Sequence, residues 1–178
     1  MEINPSDESP REFYFRMVSL ITPRPIAWVS TISNSGHLNL APYSFFNGVT
    51  AAPPSVVFSP VNRPDGSKKD TVLNIEQNGQ FVINVVSHAI AEKMNLTSGD
   101  FGFEENEFEI AGLTTVDSLK VKPPRVKESA AQFECELIQI VKVGDGPLAA
   151  NLIIGKILHL HIADEVLDQR GRVDSQRL

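Results

Sequence analysis

Small polar side chains set in an apolar, aromatic frame mark the part of this 178-residue chain best suited to chemistry. Ser30 and Thr31 close the run Thr22-Pro23-Arg24-Pro25-Ile26-Ala27-Trp28-Val29-Ser30-Thr31 and put two hydroxyls at the exit of an otherwise apolar segment. After a turn at Asn34-Ser35-Gly36, the run Asn39–Gly48 adds Asn39, Tyr43, Ser44 and Asn47 among Leu40, Ala41, Pro42, Phe45 and Phe46. Hydroxyls and amides in such a frame suit a flat aromatic ring with polar edges. A second group, Arg63 with Lys68-Lys69-Asp70-Thr71, suits an anion. Lys69 stands at the start of an expected helix, where free N–H groups and the helix dipole favour negative charge. Taken alone, two lysines before a helix also read as a solvated loop.

Other devices are missing. The chain has no Gly-x-Gly-x-x-Gly and no Gly-x-x-x-x-Gly-Lys-Ser/Thr, so neither common phosphate-binding loop is signalled. It has no zinc-type Cys or His-Glu-x-x-His pattern and no Gly-x-Ser-x-Gly elbow. The single cysteine, Cys135, lies in an alternating strand pattern and reads as a buried structural thiol. His159 and His161 share one strand face; the reading as a hydrogen-bonded structural pair stands beside one that puts His161 at a ligand. The net charge of −6 argues against binding nucleic acid, which needs a basic footprint. The acidic run from Asp100 to Glu109 reads as a solvated surface loop. No stretch approaches a membrane span, and Met1–Arg11 lacks the apolar core of a signal peptide, which predicts a cytoplasmic protein.

The elements that must position these residues are mostly strands. Ile26–Ile32 is rich in β-branched and aromatic residues between Pro and Gly, and Leu38–Ala41 reads as its partner, with Pro42 ending that strand or lying at an edge. Ser55–Ser59 and Phe81–Val86 are short apolar strands. Gln132–Val143 and Leu152–Ile162 are long ones, separated by the loop Gly144-Asp145-Gly146-Pro147. Asp70 is the expected cap of a helix over Thr71–Gln77, with Gly79 just past its end. Further short helices are expected from Ser87 to Leu96 and over Glu104–Ala111. The expectation is one mainly β domain over 1–178, a closed or half-closed barrel with helical caps.

Four motifs carry a family resemblance: Pro23–Thr31, Asn39–Asn47, Pro53-Pro54-x-Val56-x-Phe58 and Lys69-Asp70-Thr71-x-x-Asn74. Together they resemble the flavin reductase-like, FMN-binding split-barrel family, in the branch that holds the reductase components of two-component monooxygenases. The match runs from about Arg16 to Asp168 and is weak between Thr97 and Lys127. Members continue past the segment matching Asp164–Asp174 into a Gly- and Tyr-containing tail, whereas this sequence reads Arg170-Gly171-Arg172 there and reaches Leu178.

The resemblance implies a split Greek-key β-barrel, a homodimer with flavin at its interface, FMN as cofactor with FAD also open, and NAD(P)H as a transient substrate. It implies phosphate contact from Lys69 and Thr71, with Arg63 and Asp70 nearby. It implies ring contact from the strand end at Ser30 and Thr31 and from Ala41, Pro42, Tyr43, Ser44, Phe45 and Asn47. Trp28 is open between core and flavin neighbour, and one of Phe45 and Phe46 must be core, because adjacent strand residues face opposite sides. His161 would lie near the flavin and the nicotinamide. The implied activity is an NAD(P)H:FMN oxidoreductase serving a partner such as a monooxygenase. An FMN-binding electron carrier or storage protein is the alternative.

Overall fold

The computed structural model describes Met1–Leu178. Nine strands form: β1 Ala27–Ile32, β2 Leu38–Tyr43, β3 Phe46–Ala51, β4 Pro54–Phe58, β5 Gln80–Val85, β6 Thr115–Val116, β7 Arg125–Val126, β8 Ala131–Val143 and β9 Ala150–Ile162. Four α-helices accompany them: α1 Pro10–Leu20, α2 Asp70–Asn78, α3 Ala91–Leu96 and α4 Glu107–Ile110. Seven strands make one antiparallel sheet in the order β2-β1-β5-β8-β9-β4-β3, and β6 pairs with β7.

The connectivity dictates the curvature. β2 and β3 are the two edges of the sheet, yet only Ser44 and Phe45 separate them in the chain. In a flat sheet those edges would stand six strand spacings apart, roughly 28 Å. Two residues span far less. The sheet must therefore curl until its edges nearly meet, without pairing, and this is the split barrel expected from the motifs.

The interior follows the strand period of two. Ala27 and Val29 of β1 face the barrel with Val56, Phe58, Phe81, Ile83, Cys135 and Ile153, and α2 closes this core with Val72 and Ile75. Tyr43, Phe58 and Phe81 pack through it in tilted and edge-to-face contacts, with ring separations of 5.4 Å each. Trp28, on the opposite face of β1, joins Leu40, Ile90, Phe108 and Val126 in a second apolar cluster under the α3–α4 segment. Both faces of β1 are thus covered, which explains its unbroken burial from Ala27 to Thr31.

Several expectations shift. Helix α1 is absent from the sequence reading although Ser9 and Glu12 form a capping box behind Pro10. β3 continues the polar run as an edge strand, exposed from Asn47 to Ala51. Pro42 lies inside β2 opposite Trp28, tolerated because β2 is an edge. The cap of α2 is Lys69, and Asp70 is its first helical residue. Gly79 does end α2, in the left-handed region at φ 69°. The third helix contracts to Glu107–Ile110.

Candidate functional site

The end of β2, the loop before α2, the first turn of α2 and the loop after α3 enclose a small cleft of ≈ 80 Å³. That is well below the roughly 300–1,000 Å³ of whole small-molecule sites and is room for part of a ligand only. Ala41, Pro42 and Tyr43 line it from β2, and Arg63, Lys69, Asp70 and Thr71 from the motif before and within α2. Thr97, Ser98, Gly99, Asp100, Phe101 and Glu107 line it from the far side, with Asn39 at its base.

The anion end is built by helix geometry and charge. Lys69 caps α2 without a side-chain hydrogen bond; the Val72 N–H donates to the Lys69 carbonyl at 2.9 Å, and the Asp70 and Thr71 N–H groups are left open to a negative ligand. The Arg63 guanidinium is spread over three partners: Nη2 reaches Asp70 Oδ2 at 2.8 Å, Nη1 donates to the Lys68 carbonyl, and Nε faces Asp100 Oδ1 at 3.5 Å. Lys69 Nζ stands 3.6 Å from the same Asp100 oxygen. Burial works against the Arg63 charge, but the Asp70 and Asp100 carboxylates outweigh it and hold its pKa above the ordinary arginine value. Lys68 points elsewhere, with Nζ 2.6 and 2.7 Å from the two Glu76 carboxylate oxygens.

Behind the anion end runs a buried hydrogen-bond relay. Tyr43 Oη and Asn39 Nδ2 both donate to Thr71 Oγ1 at 2.9 Å. Two accepted bonds fill the lone pairs of the Thr71 hydroxyl, so its own proton is left for an acceptor in the cleft it lines. Asn39 Nδ2 and Asn74 Nδ2 also donate to Thr31 Oγ1, at 3.1 and 3.0 Å. Burial pushes the Tyr43 phenol well above its usual range, which keeps it a neutral donor. The Glu107 carboxyl is also raised, first by burial and further by Asp70 and Glu105, although the Leu40 N–H donates to it at 3.0 Å.

Seven of the expected site residues therefore meet at one cleft: Ala41, Pro42, Tyr43, Arg63, Lys69, Asp70 and Thr71. The others lie elsewhere in the chain. Ser30 and Thr31 point to opposite faces of β1 and both are fully buried, so they cannot together meet one ring. Ser30 donates to the Pro124 carbonyl and accepts from Asn84, while Thr31 anchors the relay from behind. Trp28 is fully buried, with its indole N–H donating to Thr97 Oγ1 at 2.8 Å, so of its two open readings the structure places it in the core.

Ser44, Phe45 and Asn47 lie outside the cleft, past the end of β2. Ser44 Oγ accepts from Arg24 Nε at 3.3 Å, Phe45 sets its ring against Tyr14, and Asn47, within β3, accepts the neighbouring Gly48 N–H on its Oδ1 at 2.9 Å. Phe46 is the member of the aromatic pair that packs on the core. His161 is remote on β9, bonded through Nε2 to the buried Glu134 at 2.5 Å, its ring 4.6 Å from that of His159. Burial opposes ionisation of Glu134, but the Leu119 N–H, His161 and the Lys120 N–H outweigh it and hold the carboxyl below its usual range. Asp70 holds Arg63 and does not cap α2.

The wall from Thr97 to Glu107 escaped the sequence reading, which took the acidic run as solvated loop. Asp100 and Glu107 face the cleft, and Glu107 is buried. The available signal was Glu107-Phe108 behind Asn106, a short capped turn with a buried hydrophobe inside the acidic run.

Comparison with known proteins agrees with this architecture. The profile of the flavin reductase like domain matches residues 18–176. A protein of Aquifex aeolicus is 44% identical over 164 residues, covering 92% of this chain and 82% of its own. Nitrilotriacetate monooxygenase component B from Bacillus cereus superposes with a TM-score of 0.91 at 35% identity, over 97% of this chain and 86% of that one. The 2-nitrobenzoate 2-nitroreductase of Pseudomonas fluorescens does so with 0.85 at 31% identity, over 97% and 82%. With the split barrel and the motif-lined cleft in place, these matches show that the chain belongs to the flavin reductase-like family of oxidoreductases.

Proposed function

We propose that this protein is an NAD(P)H:FMN oxidoreductase that hands reduced flavin or electrons to a partner such as a flavin-dependent monooxygenase. The observation that carries the reading is the convergence of Arg63 Nε and Lys69 Nζ on one oxygen position, beside Thr71 and the open first turn of α2. That donor set fits a phosphomonoester: two cations, a hydroxyl with a spare proton and free backbone N–H groups. Arg63, Lys69 and Thr71 would hold the FMN phosphate, with the polar cleft wall taking the chain next to it. A pyrophosphate, and hence FAD, satisfies the same donors. The isoalloxazine would extend from the cleft along Ala41–Phe45, where backbone groups meet its polar edge. Hydride acceptance from a nicotinamide is the flavin's own chemistry, so the chain needs no acid–base pair. Its residues bind, orient and shield.

A cleft of ≈ 80 Å³ with few apolar lining residues leaves a ring largely uncovered. A second copy of the chain would complete it. Helix α1 buries none of its own residues, and Tyr14, Phe15, Leu20 and Ile21 stand exposed on and beside it. The edge strand β3 is exposed as well, its Val49 included. Covering these surfaces explains why an apolar helix face is kept on the outside. No helix of the chain is long and apolar enough to cross a membrane; the cytoplasm, with its nicotinamide pool, is the proposed location.

The test is the absorbance spectrum of the purified protein, identification of the released flavin, and anaerobic addition of NADH or NADPH. Bleaching of the yellow absorbance on addition supports the oxidoreductase. A flavin that stays oxidised with both nucleotides overturns it in favour of an electron carrier. Light scattering that finds a monomer retaining FMN tightly overturns the dimeric site.

A further inference from the structure

The two cations of the cleft are already occupied. Asp100 Oδ1 lies 3.5 Å from Arg63 Nε and 3.6 Å from Lys69 Nζ, and these are the ion pairs that close the cleft from its far wall. One carboxylate oxygen therefore sits where the two charges converge, the position a phosphate oxygen would take. Asp100 differs from the other acid there: Asp70 is held rigidly at 2.8 Å from Arg63 in the first turn of α2, whereas the Asp100 side chain is 75% exposed.

Its loop is firm at the base and free at the tip. Thr97 is buried, accepts the Trp28 indole N–H and donates to the Met94 carbonyl. Three residues on, Asp100 is attached to the protein only through the two cations. Within the cleft the charged groups are Arg63 and Lys69 against Asp70 and Asp100, with the Glu107 carboxyl on the far side. A dianionic phosphate entering with Asp100 in place meets cations that are already neutralised.

We propose that Asp100 is an internal surrogate for the ligand phosphate, a competing carboxylate that must withdraw for the phosphorylated flavin to bind and that thereby sets the site's preference for phosphorylated over unphosphorylated flavin. The inference rests on the phosphate reading of the cleft given above. Asp100 is a specificity-determining residue, since it touches the groups that read the phosphate and not the redox centre. Its retention weakens phosphate binding and keeps both cations compensated when the site is empty.

The experiment measures dissociation constants of FMN and riboflavin for the full chain freed of flavin, by quenching of flavin fluorescence. It uses the wild type, Asp100→Asn, Lys69→Ala and Glu104→Gln. Glu104 belongs to the same acidic run and lines a different groove, so Glu104→Gln removes the same charge away from the cations. Asp100→Asn is expected to tighten FMN by about fivefold, the scale of two partly exposed ion pairs, and to leave riboflavin within about twofold. Inorganic phosphate is expected to compete with FMN at lower concentration in Asp100→Asn than in the wild type. If Lys69→Ala erases the FMN preference while Asp100→Asn leaves it unchanged or lowers it, the surrogate role is overturned and the phosphate site stands. An equal gain from Glu104→Gln overturns it as well, as an effect of net charge. If wild type and Lys69→Ala both bind FMN and riboflavin alike, the phosphate reading fails and the surrogate role falls with it.

Discussion

Replacing Lys69 with alanine isolates one charge at the anion end with little collateral damage. The Lys69 side chain makes no capping hydrogen bond, so α2 loses nothing at its start. Its one ion pair is to the exposed Asp100 at 3.6 Å, so the fold loses almost nothing either. A hydrogen bond to a charged group is worth about 1.5–3 kcal/mol when desolvated. Lys69 is 34% exposed and must first give up Asp100, which pulls the value toward that of a surface pair, about 1 kcal/mol. The expected result is a five- to tenfold loss of FMN affinity, roughly 1–1.4 kcal/mol, with riboflavin affinity within about twofold. Lys68→Ala is the control, because Lys68 is engaged by Glu76 and lies outside the cleft. Titration of flavin fluorescence at low and moderate salt provides a second axis: wild-type FMN affinity should fall faster with ionic strength than that of Lys69→Ala. Equal weakening of FMN and riboflavin, or a larger effect from Lys68→Ala, would refute the assignment.

Trp28→Phe should cost about 2–3 kcal/mol of stability, from the void left by the indole and the lost bond to Thr97, with a smaller effect on flavin affinity. Denaturant unfolding beside an FMN titration decides this, and a flavin-binding defect without a stability loss would return Trp28 to the ring. Glu107→Gln should stabilise the apoprotein increasingly as pH rises from about 4 to 7. A carboxyl raised by burial favours the fold while protonated, and that advantage disappears as pH climbs through its folded pKa; glutamine carries no such penalty and keeps an acceptor for the Leu40 N–H. A melting-temperature difference that stays flat or shrinks over that range contradicts the sign. Gly155→Ala should destabilise by about 1–3 kcal/mol or more, because the new Cβ would stand 2.9 Å from Cε1 and closer still to Cζ of the buried Phe81 ring. Thermal melting of the variant tests it, and an unchanged midpoint would show that the Phe81 ring can yield.

What was legible in the sequence is what depends on local pattern. Alternation and β-branching placed β1, β4, β5, β8 and β9 within a residue or two of their observed ends, because burial on a strand imposes its period directly. Gly79 marked the end of α2 through the left-handed conformation that glycine alone adopts freely. Lys69 and Thr71 could be placed together at the start of α2 because the helix terminus that organises them lies within the same few residues. The tertiary structure decided which side of each strand faces what. Trp28, Ser30 and Thr31 look like site residues by type, yet β1 is covered on both faces, by the barrel core and α2 on one and by the α3–α4 segment on the other, and no linear pattern announces a double cover. Asp100 and Glu107 look like solvated charge in the sequence, yet the loop after α3 carries Asp100 to Arg63 and Lys69, more than 30 residues away along the chain, and α4 buries Glu107 against the Leu40 N–H. Charge pairing between such distant segments leaves no periodic trace, because it depends on where the curled sheet brings its edges together and not on what any one segment prefers.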